Sequence, residues 1–375
     1  SGKSSLINAL TGQDIALVSN TPGTTTDLVS KAMEIQGIGP CLFIDTPGFD
    51  DEGELGELRI SRTLKAIEKT DIALLLCEDT TFFHEKEILA LLKEKNIPVI
   101  PVLNKIDIRE NSDHLATYIE EQCKIHPLLI SAKEKIGIEL IRQAILEKLP
   151  SDFGQQSITG KLVAENDLVL LVMPQDIQAP KGRLILPQVQ TIRELLDKKC
   201  LVMTCTTDKF SATLQALARP PKLIITDSQV FKAIYEQKPK ESELTSFSVL
   251  FAGYKGDIHY YVESAAVIER LTESSRVLIA EACTHAPLSE DIGRVKLPRL
   301  LRKRIGENLQ IDMVAGTDFP QDLTPYSLVI HCGACMFNRK YVLSRIERAR
   351  EQHIPMTNYG VAIAFLNGIL DQIKY

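Results

Sequence analysis

Two rhythms of apolar residues run through the chain. Strand candidates occupy 30–36, 41–45, 72–77, 97–103 and 127–130, and the last four are short, mostly apolar runs, the mark of a buried strand. Between them, 3–11, 56–69, 84–95, 112–121 and 136–148 place apolar residues every three or four positions, the spacing of one buried helix face. Strand and helix alternating in this way predict an α/β domain over 1–150. Pro150 and the polar stretch 151–157 read as a linker.

The alternation then resumes. Strands are predicted at 168–173, 200–204 and 222–226, with helices at 188–198, 208–217 and 228–236. The segment 174–187 contains Ala179-Pro180-Lys181-Gly182-Arg183 and is too broken by proline and glycine for regular structure. The charged run 238–243 reads as a solvated loop. A third block opens on the apolar run 248–252, with later strands at 276–282, 309–314 and 327–331 and helices at 260–272, 298–306, 338–352 and 359–372. Crossover helices again imply a mainly parallel sheet, so the expected domains are 1–150, 158–250 and 251–375. No repeat is short enough to suggest a solenoid.

A length of 375 residues suits two or three domains, and 25% charged with 44% apolar residues is the make-up of an ordinary soluble globular protein. The net charge of −6 argues against a surface built to track nucleic acid. No apolar run approaches the ~20 residues of a membrane helix and no signal peptide is evident, so a cytoplasmic protein is expected. Eight cysteines in a long, core-rich chain do not make a disulfide scaffold. Cys41, Cys77, Cys200 and Cys205 lie in or beside apolar strands, where burial is their expected role, and Cys123 near a helix end is assigned none.

The first domain carries its chemistry at predicted strand ends. Ser1-Gly2-Lys3-Ser4-Ser5 is the back half of a phosphate loop, G-x-x-x-x-G-K-[ST], whose front is expected to precede Ser1. Amides of such a loop, at Gly2 to Ser5 here, cradle phosphates at the positive end of the following helix. Lys3 would reach the β- and γ-phosphates, and the Ser4 hydroxyl would bind Mg²⁺. Thr24-Thr25-Thr26 reads as a first switch, with Thr25 as the second Mg²⁺ contact. In Asp45-Thr46-Pro47-Gly48, Asp45 would hold Mg²⁺ through water and the Gly48 amide would sense the γ-phosphate. In Asn104-Lys105-Ile106-Asp107, Asp107 would accept guanine N1–H and N2–H together, a pair adenine cannot offer. Ser131-Ala132-Lys133 would support the base through its backbone.

These motifs stand in the order and spacing of a translation-factor-class small GTPase, with GTP and Mg²⁺ as its ligands and Lys3, Thr25 and Gly48 acting at the γ-phosphate. Phe49 occupies the place where Ras-like enzymes keep the glutamine that orients water. An apolar side chain cannot position water, so intrinsic hydrolysis on the order of 10⁻⁴ s⁻¹ is expected. Era- and MnmE-like GTPases share the substitution and compensate with K⁺ held by a phosphate-loop asparagine, which would precede Ser1.

Near the other end stand Cys283-Thr284-His285 and His331-Cys332-Gly333-Ala334-Cys335, each directly after an apolar strand. Ligand sites of open α/β sheets form outside the carboxyl ends of strands, so the two groups can meet across the chain between them. Three thiolates suit an iron–sulfur cluster, because soft sulfur matches iron and sulfide. They leave one iron of a 4Fe–4S cluster for His285, Glu290, His331 or an exogenous ligand. A Cys₃His zinc site uses the same residues, and a Cys332/Cys335 dithiol or inert packing uses fewer. The intervening Arg294, Lys296, Arg299, Arg302, Lys303 and Arg304 form either a solvated helix face or an attractor for an anionic cluster or acidic partner. Aromatic residues are not interleaved with them as single-stranded nucleic acid would require.

The whole order resembles the HydF family of FeFe-hydrogenase maturation GTPases. The carriers are Pro22-Gly23-Thr24-Thr25-Thr26-Asp27, Asp45-Thr46-Pro47-Gly48 with Asp50-Asp51, Ala179-Pro180-Lys181-Gly182-Arg183, both cysteine motifs, and Thr357-Asn358-Tyr359-Gly360. The resemblance implies an α/β chain: an Era-like P-loop GTPase domain followed by two further α/β domains with mainly parallel sheets. It implies a 4Fe–4S cluster on Cys283, Cys332 and Cys335, and a scaffold that carries a transient two-iron precursor. The implied partners are the radical-SAM maturases HydE and HydG, the apo-hydrogenase HydA, and a second copy joined through 160–250. A competing expectation is an Era/MnmE-like GTPase associated with RNA or tRNA, with zinc in its last domain. Another is a redox-regulated GTPase.

Overall fold

The computed structural model describes residues 2–11, 29–35, 38–45, 63–64, 66–77, 83–149, 156–174, 182, 184–282, 292–316, 318–334 and 337–375. They fall into two compact units, Ser1–Phe153 and Gly154–Tyr375.

In the first unit, β1 (Val29–Ile35) and β2 (Gly39–Asp45) form an antiparallel pair. A parallel sheet follows in the order β3 (Ala73–Cys77), β4 (Val99–Leu103), β5 (Leu128–Leu129). All five residues of β4 are buried, as a central parallel strand covered on both faces must be. Ile100 and Val102 pack with Leu6, Leu10, Ile138, Ile141 and Ile145 of α1 (Lys3–Thr11) and α4 (Ile138–Lys148). Val99 and Leu103 face Leu89, Leu92, Ile119 and Cys123 of α2 (Phe83–Glu94) and α3 (Ser112–Cys123). Cys123 thus has a core role that the sequence reading did not assign. Of the helix expected over 56–69, residues 63, 64, 66 and 67 are helical, and 51–62 lie outside the described residues.

The second unit holds two parallel four-stranded sheets of one design. The first orders β7 (Leu201–Cys205), β6 (Leu168–Val172), β8 (Leu223–Thr226), β9 (Glu243–Ser246). The second orders β11 (Gln310–Val314), β10 (Arg276–Ala280), β12 (Leu328–His331), β13 (Met356–Asn358). In each, the second strand flanks the first and the other two follow on the far side.

The crossover and covering helices of the first sheet are α5 (Leu186–Asp197), α6 (Phe210–Ala216), α7 (Phe231–Gln237) and α8 (Phe247–Lys255). Then come α9 (Ile258–Ala265), α10 (Leu297–Ile305), α11 (Arg339–Glu351) and α12 (Tyr359–Leu366). One apolar core spans both sheets, with Leu170, Val172 and Ile224 in the same cluster as Leu278, Ala280 and Val329.

The likeness of the two sheets extends to residues. β9–α8 reads Leu244-Thr-Ser-Phe-Ser-Val and β13–α12 reads Met356-Thr-Asn-Tyr-Gly-Val. Ser246 caps Val249 N, and Asn358 caps Val361 N. Thr245 and Thr357 each donate their hydroxyl to a main-chain carbonyl, of Lys374 and Tyr261 respectively.

Two elements depart from the sequence reading. The run 248–252 is not strand but the middle of α8, which buries Phe247, Val249, Leu250, Phe251 and Ala252 around most of its circumference. A helix that is apolar all round has no polar face, so its pattern matches that of a buried strand. The two short strands β9 and β13 were not expected at all. Each ends on its helix-capping residue, so too few residues precede the helix to show a strand pattern.

Candidate nucleotide and cysteine sites

Asn104 organises the nucleotide site. It follows β4 directly and is buried. Its Oδ1 accepts from Lys105 N at 2.8 Å and from Ala132 N at 3.0 Å, so one side chain clamps the two candidate base-binding motifs together. β4 and β5 run parallel with Leu103 opposite Leu129, which sets both motifs at one sheet edge. Gly2, with φ +80°, lies against the same residue. A Cβ there would stand 2.6 Å from Asn104 Nδ2, so the phosphate loop requires glycine at this point.

Asp107 sits in the turn after Asn104, and a hydrogen bond from Ser131 holds its carboxyl below the usual carboxylate range, with Lys133 adding to the effect. Ser131 is buried and its Oγ accepts from Glu134 N, while Lys105 adopts a left-handed φ of +66°. The result is an ionised, solvent-facing carboxylate beside an ordered backbone. That arrangement can accept two N–H groups from one base edge.

Lys3 opens α1 and is half-buried, and Ser5 is exposed. Ser4 lies in α1, and Asp45 ends β2 opposite Val29. Thr25, Gly48 and Phe49 lie outside the described residues.

At the other site, β10 and β12 are neighbouring parallel strands with Ala280 opposite His331. Their carboxyl ends therefore lie side by side. Cys332 Sγ accepts from Ala282 N at 3.0 Å and from Ala334 N at 3.4 Å. Ala282 is buried and immediately precedes Cys283. Two amides aimed at one sulfur favour its thiolate form, so the surroundings of Cys332 fit a metal ligand. Cys283, His285, Glu290 and Cys335 lie outside the described residues, and among the described residues no group of three metal-binding side chains occurs.

His331 is buried beneath this edge. Its Nδ1 pairs with Cys332 O at 2.7 Å and its Nε2 with an Arg345 nitrogen at 2.9 Å. Arginine can only donate, so Nε2 accepts and the proton sits on Nδ1. Burial, then the Arg345 charge, pull its pKa down to about 3, against a smaller upward pull from the Cys332 carbonyl. The ring is neutral, and in this arrangement neither nitrogen is free to ligate a metal.

Arg345 is itself buried and stacked between Phe319 and Tyr341, with their ring centroids 4.6 and 4.5 Å away. It donates to Gly316 O and Tyr341 Oη as well as to His331. Lys255, the last residue of α8, is buried too, and its Nζ donates to Ala334 O at 2.9 Å and Phe337 O at 2.8 Å.

The sequence reading named neither cation. Their signal was a charged residue on an apolar helix face. Arg345 shares its face with Tyr341, Val342, Ile346 and Ala349, and Lys255 ends an otherwise apolar run.

The basic stretch divides. Arg294 pairs with buried Glu281 at 3.2 Å, and Lys296 donates to Gln229 at 2.7 Å. Leu297, Pro298 and Leu301 bury the inner face of α10, and Arg299, Lys303 and Arg304 stay exposed.

Comparison with known proteins locates similarity along almost the whole chain. Residues 158–256 match the hydrogen maturase F dimerization domain, and 259–374 match the hydrogen maturase F tetramerization domain. Together these span more than half of the chain. Residues 1–105 match the family described as 50S ribosome-binding GTPase. The tRNA modification GTPase MnmE of Nitrosomonas europaea is 40% identical over 149 residues, which are 39% of this chain and 32% of that protein. MnmE of Dechloromonas aromatica is 39% identical over 148 residues, with the same two coverages. The chain thus spans about a third of the length of these curated relatives. Among solved structures, a probable GTP-binding protein engB is 26% identical with a TM-score of 0.33, covering 39% of this chain and 92% of that one.

Proposed function

The chain belongs to the HydF family of hydrogenase maturase GTPases, and from that premise we propose that it hydrolyses GTP and serves as an iron–sulfur scaffold that delivers the two-iron subcluster of an FeFe-hydrogenase. The observation that carries this reading is the pair of amides, from Ala282 and Ala334, directed at Cys332 Sγ between two adjoining strand ends.

In this reading Cys283, Cys332 and Cys335 hold a 4Fe–4S cluster. Three thiolates leave one iron for His285, Glu290 or an exogenous ligand, and His331 instead braces the Cys332 carbonyl. When bound, the cluster supplies an exchangeable iron to which a two-iron cargo attaches. The chain's own residues orient the thiolates, and exposed Arg299, Lys303 and Arg304 attract an anionic cargo.

In the GTPase domain, Asp107 selects guanine, Asn104 fixes its loop, and Lys3 and Ser4 meet phosphate and Mg²⁺. Thr25 and Gly48 respond to the γ-phosphate, and their release on hydrolysis biases partner exchange. Phe49 keeps the intrinsic rate slow, with K⁺ as the expected stimulant.

Pairing with a second copy is supported by edge strand β7, which leaves Leu201 and Met203 exposed beside exposed Val189 and Leu196 of α5. Cargo would come from HydE and HydG and pass to HydA in the cytoplasm. No helix among the described residues is long and apolar enough to cross a membrane.

The test is activation of apo-hydrogenase. Full-length protein, loaded anaerobically in the presence of the two radical-SAM maturases and then repurified, is mixed with apo-hydrogenase. Hydrogen evolution that depends on the cysteines supports the reading, and repurified protein that never activates the enzyme contradicts it.

A further inference from the structure

Lys255 belongs to the half of the second unit that matches the dimerization domain, yet its ammonium ends in the cysteine loop of the other half. Only 8% of the residue is exposed. Burying a lysine charge is costly unless its hydrogen bonds are met, so a lysine kept here is a constraint on whatever it touches. It touches the carbonyls of Ala334 and Phe337, and Phe337 N closes a turn back onto Ala334 O at 3.0 Å.

Ala334 shows the consequence. It is a non-glycine residue at φ +48°, a conformation that needs outside support. Its carbonyl is drawn to Lys255, while its amide is turned to Cys332 Sγ. On the other side, His331 braces the Cys332 carbonyl and is held by Arg345, for which no carboxylate among the described residues serves as partner. The Ala334 and Phe337 carbonyls are thus drawn to the Lys255 ammonium and the Cys332 carbonyl to the neutral His331 ring, while the amides of Ala282 and Ala334 point at Cys332 Sγ. Amides and positive charge near cluster sulfur raise a reduction potential, because they stabilise the more negative reduced state.

We propose that Lys255 is a positioning residue for the cluster: it holds Ala334 with its amide toward Cys332 Sγ, raises the cluster's reduction potential, and slows its loss. This rests on the iron–sulfur reading above. It also means that the dimerization half contributes directly to the electronic setting of the centre.

The experiment is an EPR-monitored redox titration of full-length protein reconstituted anaerobically with iron and sulfide, with iron release to a chelator followed in parallel. Lys255→Met is expected to shift the reduction equilibrium about tenfold toward the oxidised cluster, ~59 mV for a one-electron couple, and to release iron severalfold faster. Lys255→Arg, which keeps charge and donors, should titrate as wild type. If Lys255→Met does not fold, Lys255→Gln takes its place: it keeps a donor without the charge, and a smaller shift in the same direction is expected. A wild-type potential in the neutral variant, or a shift in Lys255→Arg as large as in Lys255→Met, overturns the proposal while leaving the cluster reading intact. Wild-type protein that takes up no cluster sinks both.

Discussion

The amide of Ala282 donates to Cys332 Sγ at 3.0 Å across 50 residues of sequence. This bond ties the chain just past the end of β10 to the end of β12. A parallel sheet makes such a meeting inexpensive, because adjoining strands place their carboxyl ends together whatever the loop length between them.

Asn104 should be the weak point of the nucleotide site. Asn104→Ala leaves the Lys105 and Ala132 amides without their acceptor, a loss of about 2–4 kcal/mol for two such groups. Guanine-nucleotide affinity in full-length protein, measured with a fluorescent GDP analogue, should fall by more than tenfold. Wild-type affinity would show that the clamp does not order the base loop.

Glu194 predicts a pH-dependent stability of the second unit. Burial raises its pKa, but hydrogen bonds from Thr159, Ile158 and Ser157 outweigh this and hold it below the ordinary carboxylate range. Its contribution is therefore fully present above the unfolded carboxylate pKa and is lost as pH falls through the depressed folded value. Thermal melts at stepped pH should show this acid loss in wild type. In Glu194→Gln the same interval should be flatter, from a lower starting stability.

Gly360 leaves no room for a side chain. A Cβ there would lie 2.7 Å from Ser248 Oγ and 2.8 Å from Ser248 Cβ, across the contact between α12 and α8. Gly360→Ala should lower stability by about 1–3 kcal/mol in urea unfolding, as overpacking does. Adding Ser248→Gly should recover part of that loss, and no recovery would place the strain elsewhere.

Arg345 makes three directed hydrogen bonds from one planar fork, to His331, Gly316 and Tyr341. A lysine cannot reproduce that geometry. Arg345→Lys should therefore destabilise the second unit by about 2–4 kcal/mol, as expected when buried acceptors lose their donors. An unchanged urea midpoint would show that the fork does not brace the loop.

Much of this was legible in the sequence, and for a physical reason. Strand Val99–Leu103 sits within the expected 97–103, because a parallel strand buried on both faces reads as an unbroken apolar run, and helix Lys3–Thr11 sits where its periodicity put it. The two strands that precede the cysteine motifs were legible as apolar runs, and they prove to be parallel neighbours, with Ala280 opposite His331. Helix Phe247–Lys255 was misread because total burial erases the polar face that identifies a helix. Lys255 and Arg345 were missed because main-chain carbonyls, which accept from both, leave no mark in the sequence. His331 looked like a ligand because a histidine beside cysteines resembles one. That both its nitrogens are engaged depends on Arg345, fourteen residues away on another element.

The most direct measurement is the iron and acid-labile sulfide content, with the visible spectrum, of full-length protein reconstituted and desalted anaerobically. Wild type should be brown, with iron and sulfide in near-equal amounts. The Cys283→Ala/Cys332→Ala/Cys335→Ala variant should be colourless while still hydrolysing GTP. Colourless wild type with one tightly bound zinc, or a brown triple variant, would contradict the account.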